Sequence, residues 1–346
     1  MTFLPFALLL AIRLSPESAG VEYKQPQVAV SGETVALTFG SGNSVYFSSS
    51  TDEGKTFSKP KKIAEPGVMS LGMHRGPRIA IAGSVIVVSA VAGKQGGGKD
   101  GDLIAWRSAD GGKTWSAGTK VNDVAGSARE GLHTIAAGSE KNILYAAWLD
   151  LRSKGTKLYG SVSTDGGEHW GENSLVYESP DGTICQCCHP SAIIGPLGDI
   201  YVMWRNALGG SRDMYIGRST DSGKTYITAK LGQDTWKLDA CPMDGGAVGL
   251  DTRARIKSVW RRGDTIFHAV PGGQEIALGK GKNPAMAYSP YGPYIAWSDG
   301  PNLMLKSPAN KKPVVLAEGA YIHLAGTGPI YAAWEDKGAI VAGPLP

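Results

Sequence analysis

The sequence has no apolar run approaching 18 residues, so no helix able to cross a bilayer is expected. It also lacks a dominant charge. Its 35 Lys and Arg oppose 31 Asp and Glu for a net charge of +4, too balanced for a nucleic-acid binder. Charged residues make up only 19% beside 42% hydrophobic ones, which excludes a disordered polyelectrolyte and allows a sizeable core. Cysteine is limited to four residues and proline, at 20, is ordinary. Glycine departs the other way: 48 in 346 residues is about twice the usual ~7%, and the glycines sit between β-branched runs rather than in tracts. That pattern excludes collagen, argues against a helical bundle, and favours many short strands joined by tight turns.

Phe3 to Ile12 form a ten-residue apolar run followed by Arg13 and Ser18-Ala19-Gly20. The run is too short to span a membrane but suits the core of a secretory signal, although a basic segment ahead of it is missing. Residues 1–20 are therefore expected to be a signal peptide and 21–346 a single secreted or periplasmic domain, with no transmembrane segment after its removal. Four cysteines in an exported chain are compatible with two disulfides.

One turn recurs four times: Ser50-Thr51-Asp52-Glu53-Gly54-Lys55-Thr56-Phe57, Ser108 to Trp115, Ser163 to Trp170, and Ser219 to Tyr226. The aspartates step by 58, 55 and 56 residues, a period that signals a propeller or solenoid. Each Asp can accept from the turn's own N–H groups, glycine supplies positive φ, and the aromatic tucks beneath. A second repeat covers the rest: apolar strands at Val35–Phe39, Val85–Ala90, Tyr145–Trp148, Tyr201–Trp204, Lys257–Trp260, Tyr294–Trp297 and Tyr331–Trp334. The count favours an all-β, seven-bladed propeller of four-stranded antiparallel blades, with six blades if a terminal repeat is partial. The segment Val21–Lys24 is expected to supply a last strand that closes the ring.

The four turns resemble the Asp-box of the sialidase superfamily, where the box joins the third and fourth strands of a blade on the side away from the active site. In such a fold the loops before each innermost strand meet at one mouth. Those loops hold Met73-His74-Arg75, Arg129-Glu130, Cys185-Gln186-Cys187-Cys188-His189, Cys241-Pro242-Met243-Asp244, Lys282-Asn283 and Tyr321-Ile322-His323. Convergent polar groups in a concavity make this mouth the candidate site.

The resemblance extends to particular positions. His74-Arg75-Gly76-Pro77 followed by Arg78-Ile79-Ala80 resembles the segment carrying the first carboxylate-binding arginine, which implies that role for Arg75. Arg205 after Trp204 and Arg261 after Trp260 take the second and third, Arg262 competing with Arg261. Asp100, with Asp102 beside it, falls where the family places its general acid, and Tyr321 where it places its nucleophile. The carboxylate that activates this tyrosine has no counterpart near Cys188-His189, and Glu130 is the substitute. Such a set implies an exo-α-sialidase type of glycoside hydrolase acting on an acidic sugar, a monomer needing no cofactor. Guanidinium forks suit a carboxylate, and a neutral Tyr avoids the repulsion a carboxylate nucleophile would meet.

The cysteines point elsewhere. Three lie within Cys185-Gln186-Cys187-Cys188-His189 and the fourth, Cys241, in a neighbouring mouth loop. Loop-to-loop disulfides are one reading. A copper or zinc site on Cys185, Cys187, Cys188, His189 and Cys241 is another, since thiolates and imidazole are soft ligands. Cys185-x-x-Cys188-His189 also fits a c-type haem attachment, disfavoured by the intervening cysteine and Pro190. The alternative to a hydrolase is thus a non-hydrolytic propeller with a metal-holding or disulfide-braced ligand site.

Overall fold

A computed structural model of the chain describes residues 11–138 and 142–346; most of the expected signal-peptide core lies outside them. Among the described residues there is no helix, and the strands form seven antiparallel sheets arranged as a propeller. Blade 1 consists of Lys24–Ser31, Thr34–Ser41, Ser44–Ser50 and Lys61–Ala64. Blades 2 to 6 begin on the inner strands Arg78–Ala82, His133–Ala137, Ser191–Ile194, Gly246–Leu250 and Lys282–Ser289. Blade 7 begins on Ala320–Ala325. All seven apolar runs of the sequence fall on second strands, so the periodicity reports blade count directly.

Each four-stranded sheet is apolar on both faces, because each is sandwiched between its neighbours. Trp148, Trp204 and Trp297 on the second strands are almost wholly buried. The Asp-boxes join third to fourth strands. In blade 1 Ser50 Oγ donates to Asp52 Oδ1 at 2.7 Å and accepts from Gly54 N at 2.8 Å, while Thr56 N and Oγ1 donate to the same carboxylate at 2.9 and 2.6 Å. The boxes also tie blades together. Trp115 packs edge-on against Phe47 of blade 1 with centroids 5.0 Å apart, and Tyr226 OH donates to Tyr145 OH of blade 3 at 3.0 Å. Gly112 shows how tight this is: its φ is +90°, and a Cβ there would stand 2.2 Å from Phe47 Cε1. Gly112→Ala is expected to cost at least about 1–2 kcal/mol from backbone strain alone, read as a lowered melting temperature.

Ring closure differs from the expectation. Val21–Lys24 does not supply the closing strand; the chain enters the inner strand of blade 1 at Lys24. The fourth strand of blade 7 is Ile12–Leu14, paired with Ala339–Pro344 in the register Ile12↔Ala342, Arg13↔Val341, Leu14↔Ile340. Arg13 adds an ion pair to Asp336. A leader cut after Gly20 would carry this strand away. Deleting residues 11–16 is expected to lower stability by at least about 2 kcal/mol through loss of buried Leu14. Unchanged melting would show that the ring closes without it.

Candidate functional site

The inner strands enclose a channel of about 1000 Å³. At the second position of the inner strand, or in the loop just before it, one residue is held in the left-handed region, at φ 56° for Gln25, 64° for His74, 59° for Met243, 56° for Asn283 and 51° for Tyr321. Non-glycine residues there cost of order 1–3 kcal/mol, a strain that marks functional sites more often than ordinary turns. The recurring kink aligns equivalent positions of different blades at one mouth.

His74 Nε2 lies 2.9 Å from Asn283 Oδ1, its ring stacks on His189 at 4.0 Å, and Tyr321 stands edge-on at 5.3 Å. Met73 N donates to Tyr321 OH at 3.3 Å. His189 Nδ1 accepts from Gly245 N and His323 Nδ1 from Val28 N, both at 3.3 Å. These partners assign the tautomers: His189 and His323 carry their proton on Nε2 as donors, whereas His74 donates through Nε2 and keeps Nδ1 as an acceptor.

Arg78 sits beneath, on the first residue of blade 2's inner strand. It is 6% exposed and donates to the carbonyls of His74, Gly76 and Pro77. No acidic side chain pairs with it among the described residues, and burial alone pulls its pKa down, to about 10, so it stays charged at neutral pH. Its field reaches the histidines. Burial first, then Arg78, lowers His133 and His323 to about 3; burial, opposed by Asn283, and then Arg78 and Arg75 bring His74 to about 4. The mouth is therefore a ring of neutral imidazoles over one uncompensated buried cation.

The arginines expected to converge do not. Arg205 is buried and gives its hydrogen bonds to the carbonyls of Asp244, Arg212 and Arg261 at 3.2, 2.7 and 3.0 Å. Arg261 binds Asp244 Oδ2 at 3.1 Å and the Pro242 carbonyl at 2.7 Å, and Arg262 is paired with Glu275. Both Arg205 and Arg261 thus brace Asp244, whose carboxyl burial raises and the two guanidiniums lower, with a net rise. Arg75 turns toward blade 3, donating to the Glu130 carbonyl at 2.7 Å with the Glu130 carboxylate 3.7 Å away. Burial raises the Glu130 carboxyl despite Arg75 and Arg129.

Asp100 is occupied in a loop. It accepts from the backbone N–H groups of Lys94, Gln95 and Gly96 at 2.7, 3.0 and 2.9 Å. Desolvation opposes its ionisation, but these donors outweigh it and hold the carboxyl below its ordinary value, which ill suits a general acid. Asp102 accepts from Asn122 and Gly126 N, at 2.7 and 2.6 Å.

All four cysteines are free thiols, with Cys241 exposed and apart from the buried three. Cys185, Cys187 and Cys188 are the one His, Cys, Asp and Glu group among the described residues close enough to share an ion; neither Cys241 nor His189 joins it. Burial pushes the Cys188 thiol up to about 12. Of the Cys185-x-x-Cys188-His189 spacing, both thiols are buried and His189 is stacked on His74.

Sequence reading missed Arg78, Gln25 and the kink that aligns the mouth. A signal was present: X-Pro stands at or just before the start of the inner strand in Gln25-Pro26, Gly76-Pro77, His189-Pro190 and Asn283-Pro284.

Fold and repeat together define a seven-bladed β-propeller with four Asp-box turns. Residues 25–182 match the family described as BNR repeat-like domain. Among solved structures the chain is similar to the α-L-arabinanase of Penicillium chrysogenum in complex with arabinobiose, at 14% identity over 97% of this chain and 98% of that one, TM-score 0.58. It is similar to the virginiamycin B lyase of Staphylococcus aureus, at 12% identity over 97% and 99%, TM-score 0.55. An ulvan lyase matches at 10% identity over 93% of each chain, TM-score 0.52. Likeness at these identities is likeness of fold. No curated protein matches the sequence.

Proposed function

We propose that this propeller acts on an acidic sugar held at the channel mouth with its carboxylate facing Arg78. The observation that carries the reading is the buried guanidinium without an acidic partner, beneath neutral imidazoles and beside the amide side chains of Gln25 and Asn283. A buried cation of this kind is costly until an anion joins it, so it selects for one. That other propellers of this architecture bind or cleave saccharides, the ulvan lyase having been solved with GlcA(1-4)Rha3S, agrees with a sugar ligand.

The sialidase mechanism lacks its parts here: three guanidiniums do not converge, and Tyr321 meets a backbone N–H rather than an activating carboxylate. The groups that do meet suit β-elimination from a uronide. Arg78, His189 and His323 would neutralise the carboxylate and make the adjacent C5 proton acidic. His74 Nδ1 would take that proton, the electron pair would form the C4–C5 double bond, and Tyr321 OH would protonate the departing C4 oxygen. Burial and then the Arg78 and Arg75 charges keep the His74 proton affinity low in the free chain, and an anionic substrate counters the two charges.

The test is incubation with uronate-containing polysaccharides, following the ultraviolet absorbance of unsaturated chain ends. Appearance of that absorbance, with loss in both His74→Ala and Tyr321→Phe, is expected. Acid-assisted hydrolysis is a second reading, favoured by the raised Glu130 carboxyl beside Arg75. It would release reducing ends or free sialic acid without the absorbance, and depend on Glu130. No turnover of uronates or sialosides would overturn both.

A further inference from the structure

The cysteine turn stands apart from the sugar reading. The Sγ atoms of Cys185, Cys187 and Cys188 are separated by 3.6, 3.6 and 3.9 Å. A disulfide would need about 2.05 Å. Three sulfurs each bonded at about 2.3 Å to one ion at tetrahedral angles stand about 3.8 Å apart, so the triad already has the shape of a thiolate site. The turn is fixed on both sides. Cys185 N donates to the Arg205 carbonyl at 3.1 Å, and Met243, from the loop before blade 5, packs against the three cysteines with its backbone held at φ 59°. The nearest imidazole is engaged elsewhere, with His189 Nδ1 accepting from Gly245 N. The donor set is therefore sulfur alone, three thiols with a neighbouring methionine; soft sulfur suits Cu(I) and Zn(II) alike, but zinc prefers four Cys or His ligands and only three thiols meet here, which favours Cu(I).

We propose that Cys185, Cys187 and Cys188 bind one Cu(I) ion as a buried tris-thiolate centre, with Met243 as its cap. On binding, three S–H bonds give way to three S–Cu bonds and three protons pass to water. The centre gains negative charge beside the buried Arg205 guanidinium, which already favours the Cys188 thiolate. Its position bridges the loops before blades 4 and 5 behind the His189–His74 stack. It would fix the mouth rather than take part in its chemistry, so binding here and sugar turnover fail or succeed separately.

The experiment is anaerobic titration of the reduced full chain with Cu(I) against a chromogenic Cu(I) chelator, with a parallel Zn(II) titration. One Cu(I) retained per chain with a thiolate-to-metal ultraviolet band is expected. Cys187→Ser and Cys188→Ser should weaken retention at least about 100-fold, and Cys241→Ser should leave it unchanged. Failure of the reduced wild type to retain Cu(I) overturns the site, as does equal retention by folded Cys188→Ser. Retention of Zn(II) alone overturns the copper assignment. The wild-type titration decides the matter even where a serine variant does not fold.

Discussion

Replacing Arg78 with methionine is expected to weaken binding of a carboxylate-bearing sugar by about two orders of magnitude while leaving weak binding of neutral sugars unchanged. A charge-assisted hydrogen bond is worth about 1.5–3 kcal/mol, and each 1.4 kcal/mol is tenfold in affinity. The guanidinium also holds carbonyls of His74, Gly76 and Pro77, so some loss of stability will accompany the change. A separate readout distinguishes loss of charge from loss of shape. Arg78 is among the causes that depress His74, His133 and His323, so in a folded Arg78→Met chain all three must titrate at higher pH. Calorimetry with a uronate oligosaccharide and its carboxyl-reduced counterpart, together with imidazole NMR titration, checks both. Equal affinity for the two oligosaccharides in the wild type would remove Arg78 from the account.

A sharp loss of stability between pH 6.5 and pH 5 is the second large expected effect. Burial holds His74 near 4 and His133 and His323 near 3 in the folded chain, against about 6.5 when unfolded. Their contribution is fully present above pH 6.5, where neither state is protonated. It is lost as pH falls below 6.5, because the unfolded chain binds protons that the folded one refuses, and the loss continues down to the folded values. At pH 5 each histidine costs about 2 kcal/mol, or on the order of 6 kcal/mol for the three, comparable to the whole stability of many domains. The buried carboxyl of Asp244 and the half-buried ones of Glu130 and Glu335 are raised and act in the opposite sense. The Asp-box carboxylates, typified by Asp165 at about 2 through its His169 and Ser163 hydrogen bonds against desolvation, stay ionised throughout this window. Urea unfolding at pH 7 and pH 5 measures the difference, and His323→Gln should flatten the slope, His189 and His268 being lowered in the same sense. A flat profile would mean that the imidazoles are solvated.

Fold was legible in the sequence to the level of blade number because propeller repeats print their packing on the chain. The apolar second strands recur once in each of the seven blades and the Asp-boxes once in each of the first four, and both fall where their spacing placed them. Closure was misread because the three-residue strand Ile12–Leu14 carries no period and sits inside an apparent leader. The site was only partly legible. Its location followed from the loops before inner strands, yet which arginine faces the channel depends on side-chain direction, which spacing does not reveal. Arg205 and Arg261 lie one residue after equivalent tryptophans and turn outward to Asp244, whereas Arg78 begins an inner strand and turns inward. Sequence gathered the cysteines and His189 as one group; local turn geometry brings Cys185, Cys187 and Cys188 together and leaves Cys241 and His189 outside.

The most direct test of the central claim is a crystal structure of the chain soaked with a uronate disaccharide. The account predicts its carboxylate at the mouth between Arg78, His189 and His323, with Tyr321 and His74 on opposite sides of the adjacent carbon. A sugar seated on the outer blades, or in the channel with its carboxylate turned away from Arg78, would contradict it.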